Sequence, residues 1–169
     1  MAAIGLTPIP LHADRGITLV RGAGSYLWDD RDRKYLDLMT NYGVNLLGHA
    51  HPGVTAAIQA QAAKLTNAHQ SFDTPARRDF IEALGALLPR ELNRISFGNS
   101  GAEAVEAAIK YARVATGRTG IIAAQRAYHG RTFGALAATA DAKYRDPFKP
   151  MLEGVRHVPF DNLDAIEQL

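Results

Sequence analysis

The chain contains no cysteine among its 169 residues. This absence excludes disulfide bonds and thiolate metal ligands, because both need a cysteine sulfur. Disulfide frameworks are typical of small proteins from oxidising compartments. We therefore expect a protein of the reducing cytoplasm.

Long apolar runs and an excess of one charge are also missing. No segment is apolar over the length that spans a bilayer, and the first ten residues lack the basic region and apolar core of a secretory signal. The 19 basic and 17 acidic side chains give a net charge of +2, without a long Lys/Arg run. We therefore expect neither a membrane partner nor a nucleic-acid partner, and no export.

The residues that are present are those of an ordinary globular domain, with 47% hydrophobic and 21% charged residues. Residues 1–52 contain three β-leaning runs, at 16–20, 25–28 and 35–39, separated by turn residues. This spacing predicts a small β-meander in an N-terminal segment.

From Pro52 onwards the apolar residues recur with the period of an α-helix. Val54 to Leu65 have helical spacing, and Pro75 can begin a second helix that runs to about Leu88. Three strand-like runs follow, at 94–97, 120–124 and 155–158.

Each of these runs precedes a predicted helix. The first helix is expected from about Gly101 to Thr116, a short second one after residues 128–130, and a third after the caps Asp161 and Asn162. The alternation predicts a largely parallel sheet with right-handed crossovers. Because the last helix stops at Leu169 after barely two turns, we expect residues 53–169 to be an incomplete α/β domain, truncated at its C-terminal end.

One candidate site lies at Gly98-Asn99-Ser100-Gly101-Ala102-Glu103-Ala104, between a predicted strand and a predicted helix. Ser100 and Glu103 have the spacing of a capping box. The amides of Gly101, Ala102 and Glu103 lie at the positive end of the helix dipole and could bind a phosphate. Taken alone, the motif favours the simpler interpretation, in which Ser100 only caps the helix and Gly98 only makes the turn.

A second candidate site is Tyr128-His129-Gly130-Arg131-Thr132, which follows the next predicted strand. Ligands of open α/β sheets lie outside the carboxyl ends of strands, so both motifs could face one crevice. Tyr128 can cover a planar ring, and the Arg131 guanidinium suits a carboxylate. A half-buried tyrosine beside a surface arginine is the equally weighted alternative.

Two further patterns do not indicate sites. His49 and His51 have no third metal ligand nearby, so we expect turn and packing roles and no metal. Gly22-Ala23-Gly24 lacks the third glycine and the strand–helix setting of a dinucleotide fingerprint.

In their order and spacing, these segments resemble class III pyridoxal-phosphate-dependent aminotransferases, over about Gly16 to Leu169. The similarity is to the acetylornithine/ornithine branch, which includes enzymes that act on carrier-protein-linked lysine or ornithine. The resemblance implies a type I fold, incomplete in this chain, in which a small-domain segment precedes the first strands and helices of the large domain. The runs that carry it are 42–52, 99–110 and 128–132, with 143–145 and 158–161 also fitting.

The resemblance implies a role for each site residue and pyridoxal 5′-phosphate as the cofactor. Ser100, Gly101 and Ala102 match the turn that binds the cofactor phosphate, and Tyr128 matches the aromatic stacked on its ring. Arg131 matches the arginine that holds the substrate α-carboxylate. The family usually has threonine where this chain has Ala102, so we expect somewhat weaker phosphate binding.

No residue of this chain matches the family's Schiff-base lysine, so we assign no catalytic residue and expect the chain alone to be inactive. Its five lysines are Lys34, Lys64, Lys110, Lys143 and Lys149. The resemblance implies that the complete protein is a homodimeric transaminase. Such an enzyme would move an amino group from an N-acylated ornithine- or lysine-type donor to 2-oxoglutarate in arginine or lysine biosynthesis.

Two other interpretations remain open at this point. The chain could be a non-catalytic fragment that binds a phosphate or cofactor, or the remnant of a broken aminotransferase gene. The sequence does not decide between acetylornithine, ornithine, carrier-linked lysine and 4-aminobutyrate as the amino donor.

Overall fold

Three short strands form an antiparallel meander in the first part of the chain. In the computed structural model, which describes Ile9 and residues 13–169, the strands pair in sequence order. A two-residue turn with Gly24 at φ 54° joins the first two strands, where a left-handed residue suits a tight hairpin. The strands are β1 (Leu19–Ala23), β2 (Tyr26–Asp29) and β3 (Lys34–Leu36). The predicted meander is confirmed, although β1 begins at Leu19 and not at Gly16.

The described residues divide into two compact units, one ending at Asp79 and one formed by Phe80–Leu169. In the first unit the buried Asp29, only 2% exposed, anchors the turn between β2 and β3. Its carboxylate accepts hydrogen bonds from the Arg33 amide and guanidinium, the Tyr35 hydroxyl and the Arg31 amide at 2.7–3.0 Å. Burial alone would raise the pKa of Asp29, but these bonds outweigh it and hold that pKa far below its ordinary value.

An irregular turn, α1 (Thr40–Gly43), follows the meander and was not predicted from the sequence. Thr40, Asn41 and Tyr42 have φ values of 47°, 51° and 58°, a left-handed conformation that costs free energy for residues other than glycine. Two hydrogen bonds between Gly24 and His49, of 3.0 and 2.8 Å, hold the far end of this segment against the meander.

The helices α2 (Pro52–Ala62) and α3 (Pro75–Gly85) both begin at a proline, as predicted. In the second unit, α4 (Gly101–Thr116) begins after the N-cap Ser100 and ends at Gly117, whose φ of 68° terminates the helix. Both of its predicted ends are confirmed.

The strands β4 (Ile121–Ala124) and β5 (Val155–Val158) pair in parallel, which confirms the predicted strand–helix–strand crossover. The crossover contains α5 (Phe133–Ala138), α6 (Ala142–Arg145) and a 3₁₀ turn at Asp146–Phe148. The last helix, α7 (Leu163–Glu167), is capped by the Asn162 side chain, which accepts from the Ala165 amide at 2.9 Å.

The strand predicted at Arg94–Phe97 is wrong for this structure, where these residues are irregular. A strand is stabilised by pairing, and within the described residues β4 pairs with β5 and no ladder reaches 94–97. The Phe97 side chain packs instead on Phe80, with ring centroids 5.9 Å apart.

The best-buried element of the second unit is α5. Its Ala135, Leu136, Ala137 and Ala138 are 0–4% exposed, because the helix contacts α4, β4 and β5. These small side chains allow α5 to pack closely against α4, β4 and β5. This packing holds the loop that precedes α5. None of the described helices is long and apolar enough to cross a lipid bilayer.

Candidate functional site

The N-terminus of α4 presents backbone donors to its surroundings. The extended Ser100 accepts a hydrogen bond from the Glu103 amide at 3.2 Å through its Oγ. The first intrahelical bond runs from the Ala104 amide to the Ser100 carbonyl at 3.1 Å, so the amides of Gly101 and Ala102 precede the helical ladder. Two such amides and the dipole of a 16-residue helix suit a phosphate group.

The predicted capping box is present with one change. The Glu103 carboxylate accepts from the amide of Asn99, one residue before the Ser100 amide that the motif would use. This bond holds Asn99 in the turn that leads into the helix, and it leaves Ser100 Oγ as the only side-chain cap described for α4.

Gly130 brings the second motif against the first. A Cβ atom added to Gly130 would lie 2.6 Å from Ala102 Cβ, and its φ of 133° also favours glycine. The loop after β4 therefore touches the first turn of α4, as expected for two motifs that face one crevice, although residues 94–97 before α4 are irregular and form no strand.

Thr139 holds the middle of this loop. Its Oγ1, in a side chain with no exposed surface, accepts from the His129 amide at 3.0 Å. The same hydroxyl lies 3.2 Å from the Gly130 carbonyl and 3.1 Å from the Ala135 carbonyl, to either of which it can donate.

Glu106 holds the end of the loop. Its Oε1 accepts from the Gly134 amide at 2.8 Å and from the Ala135 amide at 3.2 Å. A hydrogen bond from the Thr132 hydroxyl, these two amides and the nearby Lys110 charge lower the pKa of Glu106, against the opposing effect of partial burial.

The two side chains predicted to face a ligand are accessible. Tyr128 is 57% exposed, and its ring meets that of Tyr144 nearly perpendicularly at 5.8 Å. Arg131 is exposed and forms no ion pair with the carboxylates that the structure describes. Its guanidinium thus remains available to a carboxylate ligand.

A cleft of about 320 Å³ lies along another face of α4. No basic side chain lines it, and its one charged side chain is the acidic Glu103, so it does not suit a carboxylate. The candidate site is the junction of α4 with the 128–132 loop, where Arg131 and the first amides of α4 lie. The cleft is lined by Ser96, Phe97, Gly98, Asn99, Glu103, Ala104, Ala107, Ala108 and Tyr111.

The histidine pair of the first unit has structural partners. His49 lies 2.8 Å from the Asp37 carboxylate and 3.0 Å from the Asn45 amide, and His51 caps α2 by accepting from the Val54 amide. Within the described residues, no three His, Asp or Glu side chains form a group that could hold a metal ion.

Sequence reasoning missed Glu106 and Thr139. A signal for Glu106 was available, because it lies four residues after Ala102 and three before the buried Ile109, on the inward stripe of α4. A carboxylate in such a stripe indicates a specific hydrogen-bond partner. Thr139 has no comparable signal, since a threonine after an alanine-rich helix is common.

Known proteins resemble this chain over nearly its whole length. The family model for class-III aminotransferases matches residues 11–168. A LysW-aminoadipate semialdehyde/glutamate semialdehyde transaminase of Sulfurisphaera tokodaii is 42% identical over 161 residues, which are 95% of this chain and 42% of the relative. An acetylornithine aminotransferase of Methanopyrus kandleri is 40% identical over 152 residues, 90% of this chain and 39% of the relative. The chain thus spans about two-fifths of the length of these curated relatives.

Solved structures show the same fold. Ornithine aminotransferase from Toxoplasma gondii superimposes with a TM-score of 0.86 and 25% identity, over 95% of this chain and 39% of that one. The taurine:2-oxoglutarate aminotransferase of Bifidobacterium kashiwanohense, solved with PLP and glutamate, superimposes with a TM-score of 0.83 and 28% identity, over 90% of this chain and 35% of that one. The expected type I fold, in part, is therefore confirmed.

Proposed function

The chain belongs to the class-III aminotransferases, and we propose that it supplies the cofactor-phosphate and substrate-carboxylate groups of a larger transaminase. The cofactor of this family is pyridoxal 5′-phosphate, which is bound in a solved relative. The close approach of Gly130 to Ala102 supports the proposal, because the loop for which we propose carboxylate binding lies against the turn for which we propose phosphate binding.

The residues of the junction suit this cofactor. Ser100, Gly101 and Ala102 would hold its phosphate through backbone amides and one hydroxyl, and Tyr128 would cover its ring. When bound, pyridoxal phosphate supplies the electron sink and the amino-group carrier of transamination. Ala102 offers an amide without a hydroxyl, so the phosphate loses one donor relative to a threonine at this position.

Arg131 would orient the substrate. Its planar guanidinium can donate two parallel hydrogen bonds to an α-carboxylate, and no described carboxylate competes for it. Binding of this kind fixes the reacting end of an amino acid relative to the ring covered by Tyr128.

The Schiff-base lysine would come from outside these 169 residues. None of the lysines of the second unit lies in the junction: Lys110 is in the middle of α4, Lys143 is in α6, and Lys149 follows the 3₁₀ turn. The other two, Lys34 and Lys64, belong to the first unit. Because the chain spans about two-fifths of its curated relatives, the remaining length can contribute such a residue.

In the complete protein, we propose a boundary at Pro52 between the small-domain segment 1–52 and the cofactor-binding domain 53–169. The compact units within this chain divide between Asp79 and Phe80 instead. Compact units reflect which residues of this chain pack together, whereas domain membership also depends on what packs against α2 and α3 in the whole protein.

The substrate we propose is an N-acylated ornithine- or lysine-type amine, with 2-oxoglutarate as acceptor, used by a homodimer in arginine or lysine biosynthesis. The names of the two curated relatives support this choice, since one acts on a LysW-linked semialdehyde and the other on acetylornithine.

Activity of the complete protein tests the proposal. The purified protein should bind pyridoxal phosphate and transfer an amino group from N-acetylornithine or a carrier-linked lysine analogue to 2-oxoglutarate, and much less from 4-aminobutyrate. Cofactor binding without transfer from any donor would favour the non-catalytic alternative. Absence of cofactor binding would exclude both.

A further inference from the structure

Glu106 connects α4, whose N-terminus is part of the candidate site, to α5, which follows the 128–132 loop. Its carboxylate lies on α4, and it accepts the amides of Gly134 and Ala135 in the first turn of α5. The N-cap residue of α5, Thr132, makes no capping bond with its own side chain. Glu106 therefore caps α5 from another helix, in the place where a local side chain would normally act.

The hydrogen bonds of Glu106 form the polar link between α4 and the segment 128–139. Within the described residues, no other side chain of α4 makes a hydrogen bond to that segment. A close apolar contact on this side joins Ala102 to Gly130. Apolar contact sets the separation of the two elements, but hydrogen bonds of fixed direction set their orientation.

The charge of Glu106 suits this position. An ionised carboxylate at a helix N-terminus is stabilised by the helix dipole and by N–H donors. Gly134 makes room for it, because a Cβ atom there would lie 2.5 Å from Oε2 and 2.9 Å from the carboxyl carbon.

We propose that Glu106 is a positioning residue, whose carboxylate orients the loop carrying Tyr128 and Arg131 at the N-terminus of α4. This inference rests on the proposed function, since it assigns Glu106 the task of placing the residues that meet cofactor and substrate. We assign Glu106 no contact of its own with either.

Two substitutions remove the link in independent ways. In Glu106→Ala the acceptor is missing, whereas in Gly134→Ala the added methyl group displaces an unchanged Glu106. In both variants of the complete holoenzyme we expect KM for 2-oxoglutarate to rise about tenfold or more, with a smaller change in kcat, because Arg131 is misplaced. The double variant should be no worse than Glu106→Ala, because both changes remove one interaction.

Glu106→Gln tests the geometry of the link. Its amide oxygen can accept the same two N–H groups, so KM should stay within about threefold of the wild type. Glu82→Gln, an exposed glutamate of α3, is the matched control and should leave KM and kcat unchanged.

Two readouts besides activity accompany the kinetics. The visible circular dichroism of the bound cofactor should change in Glu106→Ala and Gly134→Ala, since Tyr128 would move relative to the ring. Hydrogen exchange at the Gly134 and Ala135 amides should accelerate in Glu106→Ala and remain slow in Glu106→Gln.

The outcomes separate the two proposals. If the wild type is active and Glu106→Ala lowers Tm but leaves KM and the cofactor dichroism unchanged, Glu106 is merely structural and the positioning role is overturned. If Glu106→Ala does not fold, Gly134→Ala is the variant that tests the positioning role. Helix propensity alone would make the glycine-to-alanine change neutral or stabilising, so a rise in KM would report the displaced Glu106. A wild type that binds no cofactor overturns the proposed function instead, and hydrogen exchange still tests the link.

Discussion

Ala102 is the residue at which the two motifs meet, because its methyl group lies against Gly130 while its amide is among the first of α4. A hydroxyl at this position would add a donor without removing the backbone amide. In the proposed site, alanine at this position gives a phosphate one donor fewer, while its methyl group packs against the loop at Gly130.

Ala102→Thr is expected to tighten pyridoxal phosphate binding in the complete protein. One added hydrogen bond to a charged group contributes about 1 kcal/mol or somewhat more, which is roughly a fivefold to tenfold lower Kd. Titration with the cofactor, followed by absorbance, measures this Kd. Ala104→Thr, on the same helix, is the control. Unchanged or weaker binding would show that the phosphate lies elsewhere.

Arg131→Lys tests the carboxylate assignment. Lysine keeps the charge but loses the two-pronged donor geometry, so we expect KM for 2-oxoglutarate to rise roughly tenfold to a hundredfold while the cofactor Kd is unchanged. Steady-state kinetics with Arg118→Lys as an exposed control would measure the effect. An equal loss in both variants would contradict a specific role for Arg131.

At the scale of elements, helix ends and turns determine where secondary structure begins and stops. The α4 helix ends at Gly117 with φ 68°, and its amide donates to the Arg113 carbonyl at 2.8 Å. Arg113 then donates to the carbonyls of Thr119 and Glu153, which joins this helix end to the residues before β4 and β5.

Gly117→Ala should destabilise the protein by about 1–2 kcal/mol, since alanine is strained in the left-handed conformation. Urea denaturation gives the free energy of unfolding. Gly85→Ala is the control, because Gly85 ends α3 without a positive φ and with open space around it. If the two variants behave alike, the conformation of Gly117 is not the cause.

The Asp29 network should make the meander sensitive to acid. Because the pKa of Asp29 is lowered by folding, its contribution to stability is present above the ordinary value of 3.8 and is lost as pH falls below it. Trp28, the single tryptophan of this chain, is next to Asp29 and reports the change by fluorescence.

Asp29→Asn should lower Tm by several degrees at neutral pH and reduce the stability difference between neutral and acidic solution. Asp32→Asn is the matched control, because Asp32 is exposed in its ion pair with Arg21 and should have little effect. If the acid transition is unchanged in Asp29→Asn, carboxylates other than Asp29 cause it.

Local signals explain which elements the sequence could predict. The ends of α4 followed from Ser100 and Gly117, and the meander from alternating strand and turn residues. The left-handed turn at Thr40–Tyr42 could not be predicted, since its cause lies in contacts made around it and not in glycine. The position of Glu106 on the inward stripe of α4 was a usable signal, but its partners could not be predicted, because they are 28 and 29 residues away.

At the scale of the whole molecule, large apolar side chains remain uncovered in this chain. The most exposed are 82–86% accessible: Ile9, Leu38, Tyr42, Leu46, Leu87, Val114 and Phe160. Exposure of this extent is typical of surfaces that other protein segments cover.

We therefore expect the 169-residue chain in isolation to bind a hydrophobic dye strongly and the complete protein to bind it weakly. Dye fluorescence at equal molar concentration compares the two, and the complete protein after mild denaturation serves as the positive control. Equally weak binding by both would show that this chain covers its own apolar surface in solution.

The fastening of the 128–132 loop has a consequence for engineering. Thr139 holds the loop through the His129 amide, and Glu106 accepts from the amides that follow the loop, so neither bond depends on the His129 side chain. A mutant library confined to His129, with Gly130 and Thr132 retained, could therefore explore new substrate preferences at small risk to the scaffold.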